Sequence, residues 1–167
     1  MTILELYVAQ AIPHEAGHIL VGKVVGMPVF GLDHIIIRTP DGVLVPGNFV
    51  TRGVSPPDDQ IQGMDAKLKA SYMLYVAGGL AGNIFGGQPV DEHGIEVDRR
   101  DLARVTTLTL EEVAKDALQI LEKRKDTFDR LTAAIRQSYM NLIRDPNIKA
   151  GRYPLLSSDD LERILKN

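Results

Sequence analysis

Apolar side chains recur at helical spacing near the start of the chain. Between residues 3 and 25 they return every three or four positions, which predicts an α-helix. Pro13 lies inside this stretch. Because proline cannot donate a backbone hydrogen bond, the helix is expected either to begin or to kink there. Gly26 follows the last apolar position and is typical of a helix end.

Two strand-like runs follow this helix. Residues 30–39 are rich in isoleucine, and residues 43–51 form a second apolar run interrupted by Pro46 and Gly47. The Pro40-Asp41-Gly42 segment between them has the composition of a turn. The pattern therefore predicts a β-hairpin and leaves room for a third short strand.

Helical periodicity dominates the rest of the chain. Loops are expected over 53–63, which contains Pro56 and Pro57, and over 86–97. Asp98 is expected to cap a helix, Thr109 to open another through a capping box with Glu112, and Ser157 or Ser158 to cap the last. The predicted helices cover residues 64–85, 98–107, 109–125, 126–144 and 158–166. The fold expected is α+β and mostly helical, with the first helix beside a small sheet and a helical bundle after it.

Small residues are concentrated in the second half of the helix predicted over 64–85. They are Ala77, Gly78, Gly79, Ala81 and Gly82. Each glycine inside a helix costs roughly 1 kcal/mol relative to alanine. Such a cluster therefore indicates that another helix packs very close to this face.

Composition narrows the functional classes. The 167 residues are expected to form a single domain over 1–167, with an ordinary apolar fraction of 44%. The net charge of −3 is spread along the chain, which argues against a nucleic-acid partner. The amino terminus lacks a signal-peptide layout, and Lys23, Pro28 and Asp33 interrupt the most apolar stretch, so we expect a cytoplasmic protein without a membrane span. With no cysteine in the chain, any metal must use nitrogen and oxygen ligands.

The segment His14-Glu15-Ala16-Gly17-His18 carries the clearest chemistry. On a helix, residues four apart share one face, so both imidazoles could hold a Zn²⁺ ion. Glu15 would then stand beside the metal as a general base that takes a proton from water. The alternative is that both histidines are ordinary, partly buried helix residues.

A catalytic zinc ion usually has three protein ligands, and several sources for the third are excluded. A third histidine ten residues after the first would occupy position 24, which is Val24, and no glutamate lies between Glu15 and Glu92. Asp98 and Asp101 share a helix face, so one could cap the helix while the other binds the metal. The residues alone leave the choice between these two open. The acids and the histidine that remain in this region are Asp91, Glu92, His93, Glu96, Asp98 and Asp101.

The order of motifs resembles the peptidase domain of the FtsH family, the ATP-dependent zinc proteases. The first motif, 14–18, is the specific one, and the later segments add weight through their order and spacing. Residues 28–38 are similar to the family's short strand, and residues 77–86 are similar to its small-residue helix. Residues 101–106 are similar to its Asp-Leu-x-x-Ala-Thr segment, and residues 153–156 are similar to its C-terminal end. The resemblance covers nearly the whole chain.

The resemblance implies that Asp101 is the third zinc ligand beside His14 and His18, and that Asp98 caps the helix. The family normally has an arginine and a glutamate where this chain has Leu80 and Asn83. Asn83 can hydrogen-bond to a ligand but brings no charge. The phosphate-binding motif of an ATPase does not occur in the sequence.

The function expected is therefore that of a zinc metallopeptidase that cleaves flexible or unfolded polypeptides without its own ATPase. Two alternatives remain: a non-catalytic zinc-binding adaptor or regulatory module, and a different HExxH peptidase of the kind that cleaves a bacterial repressor. The sequence leaves open the oligomeric state and whether an ATPase partner acts in trans.

Overall fold

A computed structural model describes residues 3–54 and 58–166 and has a mostly helical α+β fold, as predicted. The elements are α1 (Ile3–Val24), β1 (Gly31–Arg38), β2 (Leu44–Arg52), α2 (Asp58–Ile61), α3 (Ala66–Phe85), α4 (Glu92–Ala103), α5 (Leu110–Glu122), α6 (Lys125–Ile143), β3 (Gly151–Leu156) and α7 (Ser158–Leu165).

The first helix is continuous through its proline. α1 includes Pro13, so the alternative that a helix begins at this residue is wrong. Pro13 is buried, and its carbonyl faces α3 closely: a Cβ atom built on Gly82 would lie 2.1 Å from the Pro13 oxygen. The proline is thus held inside the contact between the two helices.

The sheet has three antiparallel strands in the order β2-β1-β3. β1 and β2 form the predicted hairpin, in which Gly31 lies opposite Arg52 and Arg38 lies opposite Leu44. The third strand does not continue the hairpin but comes from residues near the end of the chain. Leu32, His34 and Ile36 of β1 are buried on the inner face. β2 lies at one edge of the sheet.

Close packing of α1 against α3 confirms the interpretation of the small-residue cluster. A Cβ atom on Gly17 would lie 2.0 Å from the Gly78 oxygen, and one on Gly78 would lie 2.7 Å from the Gly17 oxygen. Neither glycine has room for a side chain, so the two backbones are in direct contact. This contact offsets the conformational cost of the glycines and fixes the position of α3 above the histidines of α1.

The later helices follow the sequence prediction in part. The capping box of α5 is present, with the Thr109 hydroxyl accepting from the Glu112 N–H at 3.2 Å, and Ser157 caps α7. The loop predicted over 86–97 is correct for 86–91 and wrong beyond it, because α4 begins at Glu92, and this helix ends at Ala103 rather than 107. Of the loop predicted over 53–63, residues 55–57 lie outside the described residues, and Asp58–Ile61 form a short helix.

Candidate metal centre

Two histidines of α1 meet at their outer ring nitrogens. The i, i+4 spacing places His14 and His18 one turn apart, and their Nε2 atoms are 3.0 Å from each other. Both residues are buried, with exposed fractions of 2% and 6%. The rings therefore converge on one small region under α3 instead of pointing into solvent.

Asp98 of α4 completes this group. Its Oδ2 atom lies 3.2 Å from His14 Nε2 and 3.2 Å from His18 Nε2, and the residue is only 7% exposed. Within the described part of the chain, these three residues form the one cluster of histidine and acid side chains close enough to share an ion.

Asp101 is not part of this group. Its carboxylate lies 3.6 Å from Arg104 Nη1 and is partly exposed. The prediction that Asp98 caps the helix is wrong, because Asp91 does so: its Oδ1 accepts from the Gly94 N–H at 3.2 Å. The structure thus brings Asp98 to the histidines, where the family resemblance had implied Asp101.

The buried face of α4 explains which aspartate faces inward. Ile95, Asp98 and Leu102 are the buried residues of this helix, at spacings of three and four. This is the spacing of a single helix face, and Asp101 falls outside it. The spacing of Ile95, Asp98 and Leu102 is visible in the sequence. It was missed because the helix was predicted to begin at Asp98, which placed Ile95 in a loop.

Hydrogen bonds fix the orientation of His14. Its Nδ1 is 3.0 Å from Asn83 Oδ1, and the amide nitrogen of Asn83 donates to the Gln10 carbonyl at 2.8 Å. Because the amide nitrogen is committed to a carbonyl, the Asn83 oxygen must face the imidazole. His14 therefore donates through Nδ1, and in the neutral ring Nε2 carries the lone pair.

His18 is oriented in the same way by a different acceptor. Its Nδ1 donates to the backbone carbonyl of Tyr75 at 2.8 Å, which leaves Nε2 as the unprotonated nitrogen of the neutral ring. Asp98 Oδ2 is buried and has no hydrogen-bond donor among the described residues. Two lone pairs and a carboxylate oxygen thus point at one another, which is unfavourable unless a cation or a proton lies between them.

The dimensions and chemistry of this group fit zinc. Zn²⁺ binds histidine nitrogen and carboxylate oxygen at about 2.0–2.2 Å, so tetrahedral neighbours are separated by about 3.3 Å. The three separations of 3.0–3.2 Å are close to that value. Gly79 leaves space at the same point, since its Cβ would lie 2.5 Å from His14 Nε2 and 2.6 Å from His18 Nε2.

Without a cation, a proton would hold the group together. Burial lowers the pKa of His18, but the negative charge of Asp98 outweighs this effect and raises that pKa to about 9. Burial alone would raise the pKa of Asp98, yet the two histidines lower it to about 2. A metal ion must therefore displace a proton from His18 to bind here.

Glu15 is the remaining predicted site residue of the first motif. Its side chain is partly exposed at the centre of a cleft, and Thr51 Oγ1 donates to its Oε2 at 3.4 Å. Burial raises the pKa of Glu15, while the neighbouring histidines lower it. A raised pKa makes a carboxylate a better proton acceptor near neutral pH.

The cleft has a volume of about 240 Å³ and runs between β2 and α4 over the histidines. Asn48, Val50 and Thr51 line one wall, and the other is formed by His93, Val97 and Asp101 of α4. Four acids line the cleft, and no lysine or arginine is among the described residues that do so. The four acids are Glu15, Asp91, Asp98 and Asp101.

Sequence reasoning missed Thr51 and Tyr75. A threonine in a strand and a tyrosine in a helix carry no special signal, because their role depends on a contact between elements distant in the chain. Gly79 belongs to the cluster of small residues that the sequence singled out. That cluster predicted close helix packing, but it did not predict the space beside the histidines.

No protein-family model and no curated protein matches the chain. Among the helices that the structure describes, none is both long enough and apolar enough to cross a membrane.

Proposed function

We propose that the protein is a zinc-dependent metallopeptidase that hydrolyses peptide bonds in flexible or unfolded polypeptides. The observation that carries this proposal is the convergence of three buried acceptor atoms, from His14, His18 and Asp98, next to a partly exposed glutamate in an open cleft. A solely structural zinc site usually has four protein ligands and is closed to solvent. Three ligands beside an accessible acid are typical of a catalytic site.

The chemistry divides between the metal and the protein. When bound, zinc polarises the scissile carbonyl and lowers the pKa of water toward 7. Glu15 accepts the proton of the attacking water and delivers it to the leaving amine. Asn83 and the Tyr75 carbonyl hold the two imidazoles in the tautomer that a metal requires.

The wall formed by β2 favours an extended substrate. β2 lies at the edge of the described sheet and contributes Asn48, Val50 and Thr51 to the cleft. An edge strand can bind a peptide main chain by adding it as a further strand. Only a segment that is already extended can bind in this way, so the substrates are flexible polypeptides.

The resemblance to the FtsH family supports the same activity through the 14–18 motif and the small-residue helix packed on it. Asp98 takes the place that the resemblance gave to Asp101. Because the sequence has no phosphate-binding motif of an ATPase, we expect ATP to leave the cleavage rate of this chain unchanged.

Cleavage of casein by the zinc-loaded protein, compared with Glu15→Gln, tests this proposal. The wild type should cleave casein, lose activity with a chelator and regain it with zinc. Glu15→Gln should keep zinc and fold but lose at least about 10²-fold in rate, because the proton acceptor is gone.

Two outcomes would reject the peptidase. Cleavage by Glu15→Gln at the wild-type rate would place the activity elsewhere. No cleavage of any unfolded substrate by fully zinc-loaded wild type would favour the non-catalytic zinc module.

A further inference from the structure

We propose that Asn48 is a substrate-binding residue, which a β-bulge in strand β2 presents to the main chain of an extended peptide in the cleft. The inference rests on the proposed peptidase function and names the residue at which pairing between the peptide and β2 ends. Asn48 is exposed and belongs to the cleft wall that β2 forms.

The pairing of β1 with β2 shifts by one residue beside Asn48. Two residues of β2, Gly47 and Asn48, lie opposite the single residue Ile35 of β1. This arrangement is a β-bulge, which interrupts the ladder of hydrogen bonds and re-aims a side chain, and it is frequent next to active sites. Pro46, directly before the bulge, has no N–H to donate. Beyond Asn48, β2 therefore lacks a regular row of partners for an added peptide.

Tyr7 of α1 holds both neighbours of Asn48. Its hydroxyl donates to the Gly47 carbonyl at 2.7 Å, and its ring stacks on that of Phe49 with the centroids 6.3 Å apart. Gly47 itself has no room for a side chain, because a Cβ atom there would lie 2.8 Å from the Ile37 side chain. The backbone on either side of Asn48 is thus fixed, while its side chain lies in the cleft.

The Asn48 amide is available to a ligand. Its side chain makes no hydrogen bond to another described residue. The amide has an oxygen that accepts and a nitrogen that donates, and a peptide unit offers one group of each kind. Asparagine can therefore bind a main chain whatever its side chains are, which suits flexible substrates of varied sequence.

Addition of a peptide strand to β2 would end at Asn48. Residues 49–52 pair with β1 in a single register, so their other edge can pair with an extended peptide. Val50 and Thr51 of this segment line the cleft, and Thr51 contacts Glu15. At the bulge, the side-chain amide of Asn48 replaces the backbone groups of the strand as the partner of the peptide.

Binding to the zinc-loaded Glu15→Gln protein measures recognition without cleavage. The probe is a fluorescein-labelled octapeptide in which threonine and lysine alternate, since threonine favours an extended main chain. Asn48→Ala should weaken its binding about five- to thirtyfold, the scale of one or two hydrogen bonds between uncharged groups. Asn48→Gln keeps the amide and should lose less. Asn147→Ala, at an exposed asparagine outside the cleft, is the matched control and should bind unchanged.

Single N-methylation along the octapeptide tests whether Asn48 binds the main chain. At one position, the methyl group should weaken binding to the Glu15→Gln protein about fivefold and have little effect once Asn48→Ala is added, as expected for two partners of one hydrogen bond. Asn48 is rejected as a main-chain ligand if every methylated peptide loses the same factor on both proteins. An unchanged affinity in Asn48→Ala, or no binding of the octapeptide to zinc-loaded Glu15→Gln, would overturn the proposal as well.

Tyr7→Phe tests the support of the bulge, because it removes the hydroxyl and keeps the ring on Phe49. With Glu15 intact, it should raise KM about two- to fivefold, with kcat and zinc content unchanged, and should add little to the effect of Asn48→Ala. Tyr153→Phe is the matched control, since that hydroxyl also donates to a backbone carbonyl, at Lys149, at 2.8 Å and outside the cleft. An equal rise of KM in Tyr153→Phe would reject the role of Tyr7.

These measurements separate the two proposals. Peptide binding that depends on Asn48, without cleavage of any flexible substrate by the wild type, would reject the peptidase and leave Asn48 as a peptide-binding residue. Cleavage with an unchanged KM in Asn48→Ala would reject the role of Asn48 and leave the peptidase standing.

Discussion

Asp98 and Asp101 lie three residues apart on α4, yet their carboxylates have different surroundings. Asp98 is buried between two imidazoles, and Asp101 lies beside Arg104 at the rim of the cleft. Truncating the first would remove one of the three proposed zinc ligands, whereas truncating the second would remove a partly exposed ion pair.

We therefore predict that Asp98→Ala abolishes zinc binding and that Asp101→Ala keeps about one zinc per chain, as expected for a single three-ligand site. Elemental analysis of the purified proteins, with circular dichroism to verify folding, measures this difference. The ligand assignment is wrong if Asp101→Ala loses its zinc while Asp98→Ala retains it.

Gly79 lies beside the candidate metal centre and has no side chain to fill the space next to the two histidines. A methyl group there would lie 2.5 Å from His14 Nε2, inside the space that a bound ion needs. We predict that Gly79→Ala loses zinc affinity by at least about tenfold, since alanine must displace a ligand or the ion.

Competition with a chromophoric chelator measures that affinity. Gly63→Ala is the control, because a Cβ atom at Gly63 would have its nearest neighbour at 3.8 Å and the affinity should not change. Wild-type affinity in Gly79→Ala would mean that the ion is held elsewhere.

At the scale of elements, strand β1 carries a histidine, His34, whose side chain is buried among apolar and aromatic residues. His34 is completely buried between the rings of Phe49 and Tyr139, whose centroids are 4.4 and 5.2 Å away, and neither ring nitrogen has a hydrogen-bond partner among the described residues. Burial lowers the pKa of His34 to about 4. In the unfolded chain the ordinary pKa of histidine is about 6.5.

This difference predicts acid sensitivity. Between about pH 6.5 and 4 the unfolded chain binds a proton that the folded chain excludes, so the free energy of unfolding falls as the pH is lowered through this window. The contribution is at most about 3 kcal/mol and is fully present above pH 7. Urea unfolding of the metal-free protein at several pH values should show a shallower pH dependence for His34→Leu than for the wild type, and equal slopes would contradict the prediction.

Elements differed in how well the sequence predicted them. α5 was predictable because its apolar periodicity and its capping box reside in adjacent residues, and α1 was predictable because apolar residues dominate its sequence. α4 was partly missed because only three of its residues are buried, which leaves little apolar periodicity to detect. β3 was missed because its pairing depends on β1, more than a hundred residues earlier in the chain.

The residues of the site were likewise predictable only where the pattern lies in neighbouring residues. The spacing of His14 and His18 is a local property and predicted two of the three residues that meet in the buried group, together with Glu15 beside them. The third residue of the group, Asp98, depends on which face of α4 turns inward. The contacts of Asn83 and Thr51 depend on packing between helices and sheet, and no pattern of neighbouring residues specifies them.

For the whole molecule, the charge of the cleft predicts substrate preference. Zinc would balance Glu15 and Asp98, and Arg104 is paired with Asp101, which leaves Asp91 as the remaining negative charge among the described acids of the cleft. A peptide with lysine beside the scissile bond should therefore have a KM about two- to fivefold lower than the matched peptide with glutamate, the scale of a partly exposed charge pair.

Asp91→Asn keeps a helix cap while removing the charge, so it should reduce this preference without loss of fold. Glu96→Gln, on the exposed side of the same helix, should leave it unchanged. A preference for glutamate over lysine would contradict the expected effect of the cleft acids.

The attachment of α4 has a consequence for how the protein behaves when zinc is scarce. This helix is mostly exposed, and one of its three buried residues is Asp98 itself. An ion shared by α1 and α4 would link segments at least eighty residues apart, and its binding free energy would add to the stability of the docked helix. Chelation would then promote local opening of α4 before global unfolding. In the cell, the lifetime of the docked helix, and with it resistance to other proteases, would follow the supply of free zinc.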